Sequence, residues 1–314
     1  MKPQIAVLTG PTASGKTALG ALLAEKLNGE VVSADSMQIY RGMDIGTAKP
    51  SPEETRGIPH HMIDVADPEE NYSVARYVEE ASRCVDKIIS RGKLPVVVGG
   101  TGLYIDSLIS GRSFAQAPGD DFLRSKLNRQ YDHLGGQAML EKLAKVDPRR
   151  AEKLHPADKK RIVRALEVWH LTGKTITEHD EETKKIPPRY QAACIALSFK
   201  DRRHLYERID RRVDEMVGQG LFREVEALLQ RGLPENCTAM QAIGYKEAAA
   251  ALKGRISWQE AVETIKQETR RYAKRQLTWL RRNPRLFWVL WDKKPDYDFA
   301  LRLSTEFLGS LGIK

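Results

Sequence analysis

The stretch VLTGPTASGKTALG, residues 7–20, constrains the fold more than any other part of the chain. Gly10, four residues, then Gly15-Lys16-Thr17 match the phosphate-loop spacing G-x-x-x-x-G-K-[ST]. Ile5–Leu8 in front reads as a short buried strand, and Leu19, Leu22, Leu23 and Leu27 behind give a helix one apolar face. In that order, strand, glycine-rich turn and helix curl the backbone N–H groups of 12–17 around an anion at the positive end of a helix dipole. Gly10, Pro11, Thr12, Ala13, Ser14, Gly15, Lys16 and Thr17 are therefore candidate phosphate-binding residues. Lys16 adds a mobile positive charge, and the Thr17 hydroxyl is a candidate ligand for Mg2+. Nucleoside triphosphates are the commonest occupants of such a loop, but any diphosphate of similar shape satisfies the same donors.

Strands and helices go on alternating after the loop. Glu30–Ser33 reads as a second strand, 73–91 as a helix with Val74, Val78, Ala81, Val85, Ile88 and Ile89 on one side, and KLPVVVGG as a third strand ending at Gly99-Gly100. Such alternation predicts an α/β fold, a phosphate-loop-type parallel sheet flanked by helices. Ligands of these sheets bind beyond the carboxyl ends of the strands. The loop, Asp35 and Thr101 each directly follow a strand, so one crevice should gather all three.

From about residue 113 the pattern changes. SFAQAPGDD reads as a loop, and 120–185 as helices rich in Lys and Arg, before AACIALSF (192–199) restores a core strand. The expected organisation is a core of 1–112 and 191–314 carrying a helical insertion over 113–190. Helices are expected at 202–218, 221–231, 244–252 and 258–283, and a last strand at 286–290.

Several residues could carry chemistry. Asp35 is either a base or metal-shell carboxylate at a strand end, or a turn and helix cap. Ser36 and Gln38 beside it offer the mixed donors and acceptors that read a base edge. GTAKP (46–50) leaves its role open. Thr101 follows two glycines where many phosphate-loop enzymes place a carboxylate, which disfavours a kinase or ATPase; it could equally cap a tight turn. Arg208 and Arg212, four apart on one helix, could clamp a diphosphate or belong to a solvated charged face. DKKRIVRALEV (158–168) is basic beside an apolar stripe. KQETRRYAKRQLTWLRRNPR (266–285) holds eight Lys and Arg against one Glu, with Tyr272, Trp279 and Leu280 interleaved either as stacking platforms or as core anchors. A net charge of +9 favours a polyanionic partner. Cys84, Cys194 and Cys237 stand far apart, without a zinc or disulfide pattern, and His60-His61 reads as a packed or hydrogen-bonded turn rather than a metal site. With no long apolar run and no room for a secretion signal, a cytoplasmic protein without a membrane span is expected.

GPTASGKT, SADSMQIYRGMDIGTAKP, GIPHHMID, VGGTGLY, RALEV followed by TGK, QAIGYKE and RYAKRQLTWLR together resemble, in order and over nearly the whole length, the bacterial tRNA dimethylallyltransferases. The resemblance implies transfer of a prenyl group from dimethylallyl diphosphate to N6 of adenosine 37, next to the tRNA anticodon. It implies that the loop holds the donor's diphosphate rather than ATP, with Mg2+, and that no phosphoryl group moves. Asp35 becomes the base, Thr101 the contact to the bridging oxygen, and Lys16, Arg208 and Arg212 the diphosphate holders. Asp35, Ser36, Met37, Gln38 and Thr101 fall on the segments that meet the target base. Lys160, Arg161, Ile162, Val163 and Arg164, and Gln241, Ala242, Ile243, Gly244, Tyr245 and Lys246, fall on tRNA-contacting segments; Arg124 and the 266–285 helix join them. The insertion becomes a tRNA-binding domain gripping the anticodon stem-loop, and a monomer is expected. The alternatives are a small-molecule kinase, a non-enzymatic RNA-binding protein and a prenyltransferase for free adenine nucleotides; the long basic insertion argues against the last.

Overall fold

The structure is a computed structural model and describes residues 2–111 and 120–313. Most of the expected loop at 113–121, and the expected boundary at 113, lie outside the described residues. The chain forms two compact units, one running to Ile109 and resuming at Arg189, the other Ser110–Pro188.

The first unit begins with β1 (Gln4–Thr9), α1 (Lys16–Lys26), β2 (Gly29–Ser33), a single turn α2 (Pro52–Thr55), β3 (His60–His61), α3 (Val74–Ser90), β4 (Leu94–Gly99) and α4 (Gly102–Ser110). The second unit contributes α5 (Asp121–Val146), α6 (Pro148–Ala151), α7 (Lys159–Thr172) and α8 (Ile176–Lys185). The first unit resumes with β5 (Gln191–Phe199), α9 (Arg202–Gln219), α10 (Leu221–Gln230), α11 (Tyr245–Leu252), α12 (Trp258–Leu280), β6 (Phe287–Trp291) and α13 (Tyr297–Ser310). All the pairings are parallel, in the order β3-β2-β4-β1-β5-β6. Parallel strands covered on both faces need unbroken apolar runs, and Ile5–Leu8 and Val96-Val97 are all at most 1% exposed. One face packs on α3, α10, α11 and α12 through residues such as Val97, Tyr77 and Tyr245. The other packs on α1, α9 and α13 through Leu8, Leu23, Ile209 and Ala300.

Two elements depart from expectation. His60-His61 is a two-residue edge strand on β2, and the His61 ring meets the buried Glu30 carboxylate at 2.7 Å. The same carboxylate takes Arg91 and Lys93, and these three partners hold it down at about 2 against the upward pull of its burial. The helix α13 was not expected, although Asp296 caps it through Phe299 N–H at 3.0 Å. Among the described residues no helix is long and apolar enough to cross a membrane.

At the end of β4 the chain passes so close to the end of β2 that a Cβ on Gly99 would lie 2.2 Å from the Ala34 carbonyl oxygen. Gly99→Ala is expected to destabilise the fold by about 1–3 kcal/mol through overpacking. Denaturant midpoints of the two proteins measure it, and equal midpoints would show that the two turns can part freely.

The second unit has its own core, with Leu127, Met139, Leu143, Ile162 and Leu166 buried. Its charged centre is Glu167, fully buried, which forms ion pairs with Arg124 and Arg164, each at 2.9 Å. Gly135, with φ 82° and ψ 161°, kinks α5.

Candidate active site

The phosphate loop leaves β1 at Gly10 and enters α1 through Gly15, whose φ of 89° favours glycine. Its carbonyls are tied outward, toward protein donors. Lys16 Nζ donates to Pro11 O at 2.7 Å, Arg208 Nε to Ala13 O at 3.1 Å, and Trp291 Nε1 to Ser14 O at 2.8 Å. Thr12 N–H is given to Gln276 Oε1 at 2.9 Å. The N–H groups of Ala13 and of Gly15 to Thr17 find no protein acceptor among the described residues. They are the orphan donors of a helix start, arranged for an anion.

These residues line a cavity of about 740 Å³ with Arg208, Arg211, Arg212, Lys49 and Tyr297. Desolvation pulls Lys16 down to about 7; the neighbouring Arg212 adds to the effect and Asp35 opposes it. Desolvation also lowers Arg212, again with Asp35 acting against it. Among the described residues no carboxylate lies within ion-pair distance of either cation. Two desolvated positive charges without a paired carboxylate are a site built for a polyanion. The reading of Arg208 and Arg212 as a solvated face is thereby corrected: both are half-buried and face the loop, because α9 packs its Leu205-Ile209-Val213 stripe on the sheet and turns these arginines inward beside it.

Thr17 also lines this cavity. A hydroxyl oxygen suits a hard divalent cation. Among the described residues no three His, Cys, Asp or Glu are grouped to hold a metal unaided. Such an ion would therefore take its remaining ligands from a bound diphosphate and water, as Mg2+ prefers.

A second cavity, of about 340 Å³, is lined by Thr12, Asp35, Ser36, Met37, Gly46, Thr47, Gln241, Ala242, Ile243, Gly244, Tyr272 and Arg275. Arg212 and Met216 line both cavities. Asp35 takes up its turn-cap reading with one of its two oxygens. Its Oδ1 accepts Met37 N–H at 2.8 Å, a turn cap, while no bond to Oδ2 is formed among the described residues. Thr101 starts α4 and its Oγ1 accepts Ser36 N–H at 3.1 Å. Burial, with Asp35 nearby, pushes the Tyr272 phenol up to about 12, against the opposing effect of the Thr101 and Gln276 side chains.

Some expected tRNA contacts are corrected. The Gln38 amide is spent inside the protein: Nε2 donates to Ala48 O at 3.1 Å and Oε1 accepts Ser33 Oγ at 3.1 Å. The side chains of Ile162, Val163 and Tyr245 are 0%, 3% and 0% exposed, because they form the apolar faces of α7 and α11. In the second unit Lys160 and Arg161 are exposed, whereas Arg124 and Arg164 are half-exposed and held by Glu167. Lys246 is exposed at the start of α11. On α12, Tyr272 lines the second cavity, Trp279 packs against Gly102 and Leu280 is core, so of the three Leu280 fits the core-anchor reading outright. Lys274, Arg275, Arg281, Arg282 and Arg285 are exposed.

Sequence reasoning missed four supports. Glu224 accepts N–H from Asp44 at 2.8 Å, Ile45 at 2.7 Å and Gly46 at 3.1 Å, and the Tyr245 hydroxyl at 2.6 Å. Lys49, 7% exposed, joins Asp44 at 2.6 Å and Asp64 at 2.5 Å. Together they give GTAKP its role as a fixed wall of both cavities. Trp291 and Gln276 are the others.

A family model described as IPP transferase matches residues 38–283. The tRNA dimethylallyltransferase of Acetivibrio thermocellus is 46% identical over 309 residues, covering 98% of each chain. That of Pelotomaculum thermopropionicum is 49% identical, covering 92% of this chain and 91% of its own. Among solved structures, a tRNA isopentenylpyrophosphate transferase from Bacillus halodurans superposes with a TM-score of 0.73 at 42% identity, over 99% of this chain and 97% of that one. A eukaryotic dimethylallyltransferase described as acting on tRNA gives 0.83 at 30% identity, over 98% and 80%. The matched span, the full-length similarity and the shared fold lead to one conclusion: the chain belongs to the IPP transferase family.

Proposed function

We propose that this protein is a tRNA dimethylallyltransferase, which moves the prenyl group of dimethylallyl diphosphate to N6 of adenosine 37 and releases diphosphate. The observation that carries this reading is the pair of adjoining cavities, one where Lys16 and Arg212 stand beside the loop amides without an ion-pair partner among the described residues, the other where Asp35 stands beside Ser36 and Tyr272. A polyanion suits the first and a flipped purine the second.

In the reaction the bond from the allylic carbon to the bridging oxygen breaks, and its electron pair stays with the diphosphate. The N–H groups of Ala13 and of Gly15 to Thr17, with Lys16 and Arg212, stabilise that growing charge where it develops. Mg2+ bound through Thr17, when present, supplies further neutralisation of the leaving diphosphate. The Thr101 hydroxyl, which accepts Ser36 N–H at 3.1 Å and lies 3.4 Å from Ser36 Oγ, would turn its proton to the bridging oxygen. Adenine must leave its stack to reach the second cavity, costing roughly a few kcal/mol. As N6 forms its bond to carbon, its proton passes to Asp35 Oδ2. The exposed cations of the helical unit, Lys160 and Arg161, bind the phosphates of the anticodon stem-loop.

Incubating the protein with unmodified tRNA, Mg2+ and dimethylallyl diphosphate, then weighing the anticodon fragment, tests the reading. One added C5H8 unit is expected; unchanged RNA, or consumption of ATP with a phosphoryl acceptor, contradicts it. Replacing Lys160 and Arg161 with Ala is expected to weaken tRNA binding. It should also flatten the slope of log K against log salt by roughly 1.4–1.8, two released counterions. An unchanged slope would place both residues away from the RNA.

A further inference from the structure

We infer that Gln276 is a positioning residue for transfer: its single amide fixes the phosphate loop to the turn that carries Thr101. The inference rests on the prenyltransferase reading above. β1 and β4 are neighbours, paired as far as Thr9 and Gly99. Beyond those residues each strand opens into a functional turn, the phosphate loop on one side and Gly100-Thr101 on the other. Gln276, 8% exposed on α12, crosses between them: Oε1 accepts Thr12 N–H at 2.9 Å and Nε2 donates to Gly100 O at 2.9 Å. A Cβ on Gly100 would stand 2.3 Å from Nε2, so glycine makes room for the amide. One helical turn earlier, Tyr272 neighbours both Thr101 and Gln276.

An amide suits this place at every pH. One end must accept and the other must donate, and a buried carbonyl or N–H left unpaired is costly. The arrangement spends the Thr12 donor on the protein and leaves the N–H groups of Ala13 and of Gly15 to Thr17 to the diphosphate. It also sets the distance from that cradle to the Thr101 hydroxyl. A displacement of about 1 Å between reacting groups is enough to lower a rate on the order of 10²-fold. Thr12 also lines the cavity assigned to the purine, but Lys160 and Arg161, the cations assigned to the RNA phosphates, belong to the other unit, so loss of the link should leave tRNA affinity nearly unchanged.

The test compares Gln276→Glu and Gln276→Met with the wild type, using full-length protein, tRNA and dimethylallyl diphosphate. At pH 8 the ionised carboxyl cannot donate to Gly100 O, and kcat is expected to fall about 10- to 100-fold, with tRNA Kd within about threefold of wild type. As pH falls, the introduced carboxyl gains a proton and with it a donor, so the ratio of variant to wild-type kcat should rise. Gln276→Met should show the same loss without that recovery. Either folded variant with wild-type kcat overturns the inference, as does a loss confined to tRNA affinity, a Glu variant whose ratio stays flat with pH, or failure of both variants to fold. A wild type that leaves tRNA unmodified removes the functional reading itself; impaired transfer only in the variants separates the two claims.

Discussion

Replacing Asp35 with Asn is expected to lower kcat for prenyl transfer by roughly 10²–10⁴ while leaving tRNA binding within a few-fold of wild type. Asn is the informative choice because Asp35 holds two jobs. Its Oδ1 accepts Met37 N–H at 2.8 Å and so shapes the turn that lines the second cavity. An Asn side-chain oxygen keeps that bond, so the turn survives. What disappears is a carboxylate able to take the N6 proton, and an adenine amine, its lone pair delocalised into the ring, reacts poorly without one. Single-turnover rates on preformed complexes isolate this step from binding. A variant within a few-fold of wild type would take the base role away from Asp35 and leave it a turn cap.

Lys16→Met carries the other large effect: kcat/KM for the donor is expected to fall by about 10²–10³, the scale of losing a preorganised stabiliser of a developing anion. A pH signature accompanies it. Lys16 is held down at about 7 in the free protein, with desolvation the largest cause. A bound diphosphate favours the protonated ammonium and raises that value, so binding takes up a proton between the two values. Donor affinity should therefore be level below about pH 7 and weaken by up to tenfold per unit above it. Isothermal titration in buffers of different ionisation enthalpy reads the proton directly. Uptake at pH 8 by the wild type and none by Lys16→Met is the expected pair of results; equal uptake by both would place the titrating group elsewhere.

What was legible in the sequence was local. The phosphate loop, Asp35 and Thr101 each follow a short apolar strand, and parallel-sheet topology carries three such ends to one edge; the sheet order β2-β4-β1 does so. The supports were illegible because they come from far along the chain. Gln276 lies 264 residues from Thr12, and Glu224 lies 178–180 from the backbone it grips. No spacing rule links such pairs. Gln38 looked like a base reader because its amide is free in a linear sequence, and it is occupied in the fold by Ser33 and Ala48. Ile162 and Val163 belong to the apolar stripe visible in 158–168, whereas the tRNA-contacting segment implied by the resemblance spans both faces of that helix. β3 is too short for periodicity to register, whereas α13 had a cap and an apolar stripe and could have been found.

The central claim is that the phosphate loop holds the leaving diphosphate while Asp35 faces the amine of an extruded purine across the divide marked by Arg212. A crystal structure of the protein with an anticodon stem-loop and an unreactive thiolo analogue of dimethylallyl diphosphate tests it most directly. The diphosphate should lie against the N–H groups of Ala13 and of Gly15 to Thr17 with Lys16 and Arg212 in contact, and N6 of adenosine 37 should sit within hydrogen-bond distance of Asp35 Oδ2. A diphosphate bound away from the loop, or an adenine whose N6 faces some other group, would contradict it.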